Sequence, residues 1–505
     1  MLPATLAVLS IVRASLTCDV RDYGAVGDGV TLDTAAMQRA ISDARCSTVL
    51  LSEAASPSSA AVFLSGTLRL RSHLSLLVAP GVTLRGASAP VYDLPEPNAF
   101  DAYQDFGHSH WENALLWARG AANLTLAGGG VIDGGGALGP GGDMPDGYGD
   151  KLLSLVSCAG VALQDLSLRR SGHFALLATN VTRLELRRLD VAPTRDGVDL
   201  VGCADVVAAE LRIEGGGDDA FVLKSDYSLG AVLPTRNVTL TDSVLGTRGA
   251  TALEIGSESV GDFENLRFRN LTVTSAGNGA IGMAVMDGGA VRDVEYRDIR
   301  VTGAASPLQF YIGARQSGHP PGTGRPLGSI RDVRVVNLAA RDMSNHGHPG
   351  PPRNWTAMID GMPRGGAVTG ASDGAPVGPN ITLQNLTLRF RGGGTAAGGN
   401  AALEPPHPPL GWSDTGPWPS WGLFVRHAVG VTLRGVALSF DDDDGRPALA
   451  LEDAAGAVLE DVTAQRGAAA RPFDVLVRRG CPGLRIEGGN VTANRTDSAI
   501  SIGAA

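Results

Sequence analysis

The sequence predicts an all-β solenoid, a parallel β-helix with a short N-terminal capping helix, and three observations carry that prediction. A short strand motif recurs along most of the 505 residues. Within each copy apolar and polar residues alternate with period two, as a half-buried strand requires. The chain also holds 68 glycines but only 5% aromatic residues, which suits many short strands joined by turns better than helical packing.

The motif is a turn residue followed by alternating apolar positions. It begins at Asn123, Gly160, Arg183, Asp205, Asn237, Asn265 and Asp293, and continues at Asp332, Asn380, Gly430, Gly456 and Gly483. The shortest separations are about 22 to 28 residues, the period of a solenoid coil. A leucine-rich repeat would show a regular leucine frame, and a propeller would need longer blades with tight hairpins.

Ahead of the repeats, Met37, Ala40, Ile41 and Ala44 stand at helical spacing within Thr31 to Arg45. This amphipathic helix is expected to cover one end of the core, where an open sheet edge would invite aggregation. Residues 1–17 read as a signal peptide and 18–505 as one domain, which implies an extracellular, secreted protein. Cys18 and Cys46 are a possible disulfide; the pairing of Cys158, Cys203 and Cys481 stays open. Asn-X-Thr sequons at Asn123, Asn180, Asn237, Asn270, Asn354, Asn380, Asn385, Asn490 and Asn494 fit secretion, and several also fit a turn residue of the repeat.

A net charge of −10 argues against nucleic acid or an anionic membrane surface as partner. No stretch after the leader is long and apolar enough to span a bilayer. Three insertions, Asp93 to Trp111, Gly318 to Pro352 and Gly392 to Trp421, interrupt the repeat, and loops of a solenoid gather on one face. The run Asp441 to Asp444 reads as a solvated turn.

Two stretches place carboxylates at the edges of apolar strands: Thr194-Arg195-Asp196-Gly197-Val198-Asp199, and Gly216 to Ser225 with Asp218, Asp219 and Lys224. Burial without a partner would cost several kcal/mol. Asp196 and Asp218 are 22 positions apart, one coil, so their carboxylates are expected between the strand spacing of about 4.7–4.9 Å and the roughly 6.5–9.5 Å of an inverting glycosidase. Clustering also raises the pKa of one member, so that it stays protonated near neutrality. Lys224 is one of only two lysines, with Lys151.

Together these stretches resemble glycoside hydrolase family 28, the polygalacturonases and rhamnogalacturonase-like proteins. Asp22 to Gly29 with Asp33 to Ala36, Phe106 to Trp111, Ser171 to Phe174, Thr194 to Gly197 and Gly217 to Asp219 carry the likeness over nearly the full chain. The resemblance implies a right-handed pectin-lyase-like β-helix that hydrolyses a pectin-type polysaccharide by single displacement, as a monomer without cofactor or metal. Asp218 would protonate the leaving oxygen, while Asp196 and Asp219 would activate the water. Lys224 would touch substrate or fix a carboxylate.

Two departures stand out. The family's Gly-His-Gly segment falls on Ala250-Thr251-Ala252, and its Arg-Ile-Lys clamp falls near Ala280 to Ala284, where no cation exists. Arg195, Arg315 or Arg426 could supply another clamp for a uronate carboxylate. His108, His110 or His173 could replace the missing imidazole, and Tyr311 is either a sugar contact or a wall residue. His346 and His348 read as solvent-facing. A polysaccharide lyase using Ca²⁺ with Arg195 as base, or a non-catalytic carbohydrate-binding β-helix, are the alternatives.

Overall fold

A computed structural model describes residues 16–53, 60–88, 90–103, 107–142, 144–315, 318–323, 325, 327–344, 356–363, 374–395, 397, 418–468, 473–494 and 501–502. Most of the predicted leader, together with Phe106, His346, His348, Asn354 and the run Glu404 to Pro409, lies outside the described residues.

Turn chemistry explains the coils. All twelve motif-opening residues adopt positive φ, from Asn123 at 55° to Gly483 at 74°. Glycine meets no steric penalty there, and Asn or Asp meets a small one, which is why these residues recur at the corners. Their side chains also stack between coils. Asn265 donates to Asn237 Oδ1 at 2.9 Å, and Asn237 donates to Asp205 Oδ1 at 2.7 Å.

Between corners, the named strands pair only in parallel, and pairing runs from Leu16–Asp19 to Ser501–Ile502. One ladder column reads Leu176, Val198, Phe221, Leu253, Ile281 and Leu308, each fully buried. At about 1.5–3 kcal/mol per buried side chain, such columns drive the coiling. The adjacent column points outward and reads Leu177, Asp199, Val222, Glu254, Gly282 and Gln309. The result is a right-handed parallel β-helix.

The capping helix spans Thr34–Ser42 and buries Ala36, Met37, Ala40 and Ile41. Asp33 pins the preceding turn by accepting the amides of Val26 and Gly27 at 2.7 and 3.0 Å. Cys18 and Cys46 form a disulfide, while Cys158, Cys203 and Cys481 are buried outside any disulfide. Among the described residues, no helix is long and apolar enough to cross a membrane.

Candidate active site

Asp196 opens the strand Asp196–Val201, and Asp218 and Asp219 lie in the turn before the strand Phe221–Ser225 on the next coil. Backbone bonds lock the two coils together. Gly217 and Asp218 donate to the carbonyls of Thr194 and Arg195 at 3.1 and 3.2 Å, and Gly197 donates to that of Asp219 at 2.9 Å. A Cβ at position 197 would stand 2.2 Å from the Ala220 carbonyl oxygen, so glycine is what permits this approach.

The three carboxylates converge. One oxygen from each of Asp196, Asp218 and Asp219 lies within 4.8 Å of the others, at the short end of the expected range. Asp196 and Asp219 are buried, while the Asp218 side chain is 33% exposed. Burial first, then the charges of Asp199 and Asp218, pushes the Asp196 carboxyl well above its ordinary range. Burial and Asp218 do the same to Asp219. The cluster therefore retains protons that isolated aspartates would lose.

Arg195 spans the cluster, with Nε 3.0 Å and Nη2 2.9 Å from Asp218 Oδ2 and Nε 3.6 Å from Asp196 Oδ2. Its guanidinium thus supplies positive charge where a cation would otherwise be needed. His173 is buried against Asp196, Nε2 to Oδ2 3.5 Å, and stacks on Phe174 at 3.9 Å between ring centroids. Burial, then the cation Arg195, depresses its pKa strongly, which keeps the imidazole neutral.

Lys224 settles inside. Its ammonium lies 3.3 Å from Asp199 Oδ2, 3.3 Å from Glu258 Oε2 and 3.1 Å from His108 Nε2. Burial opposes charging both lysine and glutamate, but mutual attraction outweighs it, and with Lys224, His108 and Arg315 nearby the Glu258 pKa falls to about 2. Of the two roles expected for Lys224, the geometry favours fixing carboxylates over touching substrate.

Other expectations are corrected in the same way. Arg315 grips Asp287 through both nitrogens, Nε–Oδ1 3.0 Å and Nη2–Oδ2 2.5 Å, and Arg426 grips Asp360 at 3.1 and 2.9 Å. Neither guanidinium stands open to clamp a uronate. Tyr311 is buried in an apolar cluster with Met286, Met358, Trp418 and Phe424, and so is a wall residue rather than a sugar contact. His108, from the first insertion, is fully buried between Asp199 and Lys224. Of the candidate imidazoles, His110 and His173 line a cavity.

That cavity, about 470 Å³, lies beside the cluster and is lined by Arg195, His173, His110, Lys151, Asp150 and Asn113 among others. Lys151 is held by Asp150 at 2.5 Å and by Asn113 at 3.1 Å. Sequence reasoning missed Asp150, Asn113 and Asp199 as members of this surroundings. The outward parity of Asp199 between Val198 and Leu200 was the available signal for that residue.

The fold is a right-handed parallel β-helix, and it brings three carboxylates together across neighbouring coils. Within it, residues 17–126 match the family described as rhamnogalacturonase A/epimerase, pectate lyase-like. A polygalacturonase of Ralstonia nicotianae is 25% identical over 405 residues, 68% of this chain and 74% of that protein. A probable polygalacturonase of Vitis vinifera is 23% identical over 302 residues, 55% of this chain; the match spans only 59% of the grapevine protein.

Among solved structures, the family 28 exopolygalacturonase of Yersinia enterocolitica superposes with a TM-score of 0.61 at 16% identity, covering 88% of this chain and 79% of that one. The exopolygalacturonase of Thermotoga maritima gives 0.55 at 18% identity, covering 74% and 87%. These likenesses carry the fold. In sequence the chain is similar at low identity to polygalacturonases, and in fold it is similar to a family 28 exopolygalacturonase.

Proposed function

We propose that this protein is a secreted, monomeric glycoside hydrolase that cleaves a pectin-type polysaccharide by single displacement. The observation that carries the reading is the convergence of Asp196, Asp218 and Asp219 within 4.8 Å on the outside of a β-helix. Polygalacturonases among the relatives point to the same substrate class.

Asp218, the most exposed of the three, gives its proton to the glycosidic oxygen as the bond to the anomeric carbon breaks. Water held between Asp196 and Asp219 attacks that carbon from the opposite face and loses its proton to whichever of the two is ionised. Both Arg195 contacts fall on Asp218 Oδ2, which leaves Oδ1 to carry the proton. A uronate carboxylate in the adjoining cavity offers the guanidinium a bidentate partner. The spacing is tighter than the roughly 6.5–9.5 Å of a two-carboxylate inverting pair, but the third carboxylate lets water and leaving group be served from different oxygens.

The test is release of reducing ends from a panel of pectins by wild type and Asp218→Asn, with the anomeric form of the first product read by NMR. Hydrolysis with inversion, lost at least 100-fold in the variant, is expected. An unsaturated product absorbing in the ultraviolet, or activity abolished by a chelator, would replace the hydrolase with a lyase. No release from any pectin would leave a carbohydrate binder.

A further inference from the structure

Among the described residues, the His173 ring meets one polar side-chain partner, Asp196. The imidazole is 1% exposed and stands on the coil before the aspartate, with Nε2 3.5 Å from Asp196 Oδ2. Its other nitrogen, Nδ1, is buried and makes no hydrogen bond. An unserved buried polar atom costs about 1–3 kcal/mol, so a ring retained in spite of it calls for a use.

The ring is fixed from three sides. The His173 amide donates to the Asp150 carbonyl at 2.7 Å and the Asp196 amide donates to the His173 carbonyl at 2.8 Å, which ties both residues to the stacked coils. Phe174 stacks on the imidazole with 14° between the ring planes. Gly141, from the connection between the strands Val131–Asp133 and Lys151–Val156, closes the Nδ1 side.

Gly141 also decides which nitrogen carries the hydrogen. The charged and titratable groups around the ring are Asp196 and Arg195 on the next coil, Lys151 with its partner Asp150 on the coil before, His108 from the first insertion, and Lys224 two coils on. Burial first, then Arg195, disfavours a second proton, so the imidazole is neutral. A Cβ on Gly141 would stand 2.0 Å from His173 Nδ1, so the glycine hydrogen that takes the Cβ direction points at that atom. A hydrogen on Nδ1 would collide with it, whereas a bare lone pair accepts the approach. The single proton therefore sits on Nε2 and faces Asp196.

Asp196 and Asp219 are thus unlike. Asp196 Oδ2 faces the His173 Nε2–H and the Arg195 guanidinium, whose Nε lies 3.6 Å away, and both favour the ionised form. At 3.5 Å the imidazole contact is charge to dipole rather than a full hydrogen bond, and catalytic contacts of this kind tighten in the complex with substrate. Asp219 accepts one amide, that of Thr251 at 3.0 Å to Oδ1, which leaves Oδ2 to hold a proton.

We infer that His173 is the positioning residue that makes Asp196 the ionised carboxylate, the one that takes the proton from water, and leaves Asp219 protonated. The inference rests on the hydrolase reading and deepens it, because it assigns the base within a pair that burial alone treats alike.

Two readouts on the full-length protein need no turnover, so failure of the hydrolase reading and failure of the assignment are distinguishable. Nitrogen-15 NMR of the imidazoles, with His173 assigned through its contact with Phe174, should show a neutral ring protonated on Nε2 at pH 6. In infrared difference spectra at the same pH, Asp219→Asn should remove one protonated-carboxyl component and Asp196→Asn none. A proton on Nδ1, or a component lost in Asp196→Asn instead, would overturn the assignment. Kinetics on whichever pectin the protein hydrolyses add a third readout. His173→Phe keeps the stacking and loses the donor to the ionised form, so the acidic limb of kcat/KM should move up by about one pH unit, a tenfold loss below it. His173→Gln, which restores an N–H at the reach of Nε2, should bring the limb back. A purely structural role would lower both variants at every pH with the limb in place, and that result would also sink the inference. If a variant fails to fold, the tautomer in the wild-type protein decides alone.

Discussion

Replacing Lys224 by methionine separates a structural lysine from a substrate-binding one. The ammonium faces Asp199 and Glu258, both buried, and removing it leaves two carboxylates without their cation. Breaking a buried pair in this way costs about 3–5 kcal/mol. Glu258 gives an independent figure: a pKa of about 2 against 4.5 in the unfolded chain corresponds to roughly 3 kcal/mol of stability at neutral pH. Because the folded-state value is the lower one, that stabilisation is complete above about pH 4.5 and is lost as the pH falls toward 2.

The expected result is a loss of about 3 kcal/mol in urea unfolding at pH 7, shrinking in acid. A solenoid need not unfold as one unit, so amide exchange should be followed in the strands Asp196–Val201, Phe221–Ser225 and Leu253–Ser259. Adding Glu258→Gln should recover part of the loss, since it removes one of the stranded charges. A stability change below about 1 kcal/mol combined with a tenfold rise in KM would refute the reasoning and return Lys224 to the substrate.

Two further outcomes follow from the same structure. Asp219 keeps its proton more tightly in the folded protein than in the unfolded chain, so its contribution is present at low pH and is lost as pH rises through the folded value; Asp219→Asn should raise the melting temperature at pH 8, leave it nearly unchanged at pH 4, and lower activity at least 100-fold. A fall in melting temperature at pH 8 would contradict this. Reducing the Cys18–Cys46 bridge, which closes a loop of 28 residues, should remove about 3–4 kcal/mol and speed amide exchange first in the helix Thr34–Ser42.

The coil pattern was legible because it is local. Asn237, Asn265 and Asp293 announce corners by residue type alone, and Val198 and Leu200 announce the core by parity. The same logic resolves part of the sequon ambiguity. Asn123, Asn180, Asn237, Asn270, Asn380 and Asn385 all hold positive φ, so each serves a turn whether or not it carries sugar.

The aspartate trio was legible too, as charges set against apolar strands. What the sequence hid was partnership. Arg315 and Arg426 look available until Asp287 and Asp360 are placed beside them, 28 and 66 residues away. His108 meets Lys224 across 116 residues, a contact that no periodicity encodes.

The stacking of coils separates two properties that a globular enzyme ties together. The geometry of Asp196, Asp218 and Asp219 depends on the coils that stack them; inserting a single turn of solenoid between them would move the carboxylates apart. Inserting a turn elsewhere would lengthen the solenoid and leave that geometry intact. In such a molecule, the length of the scaffold and the geometry of its carboxylates can evolve on independent schedules.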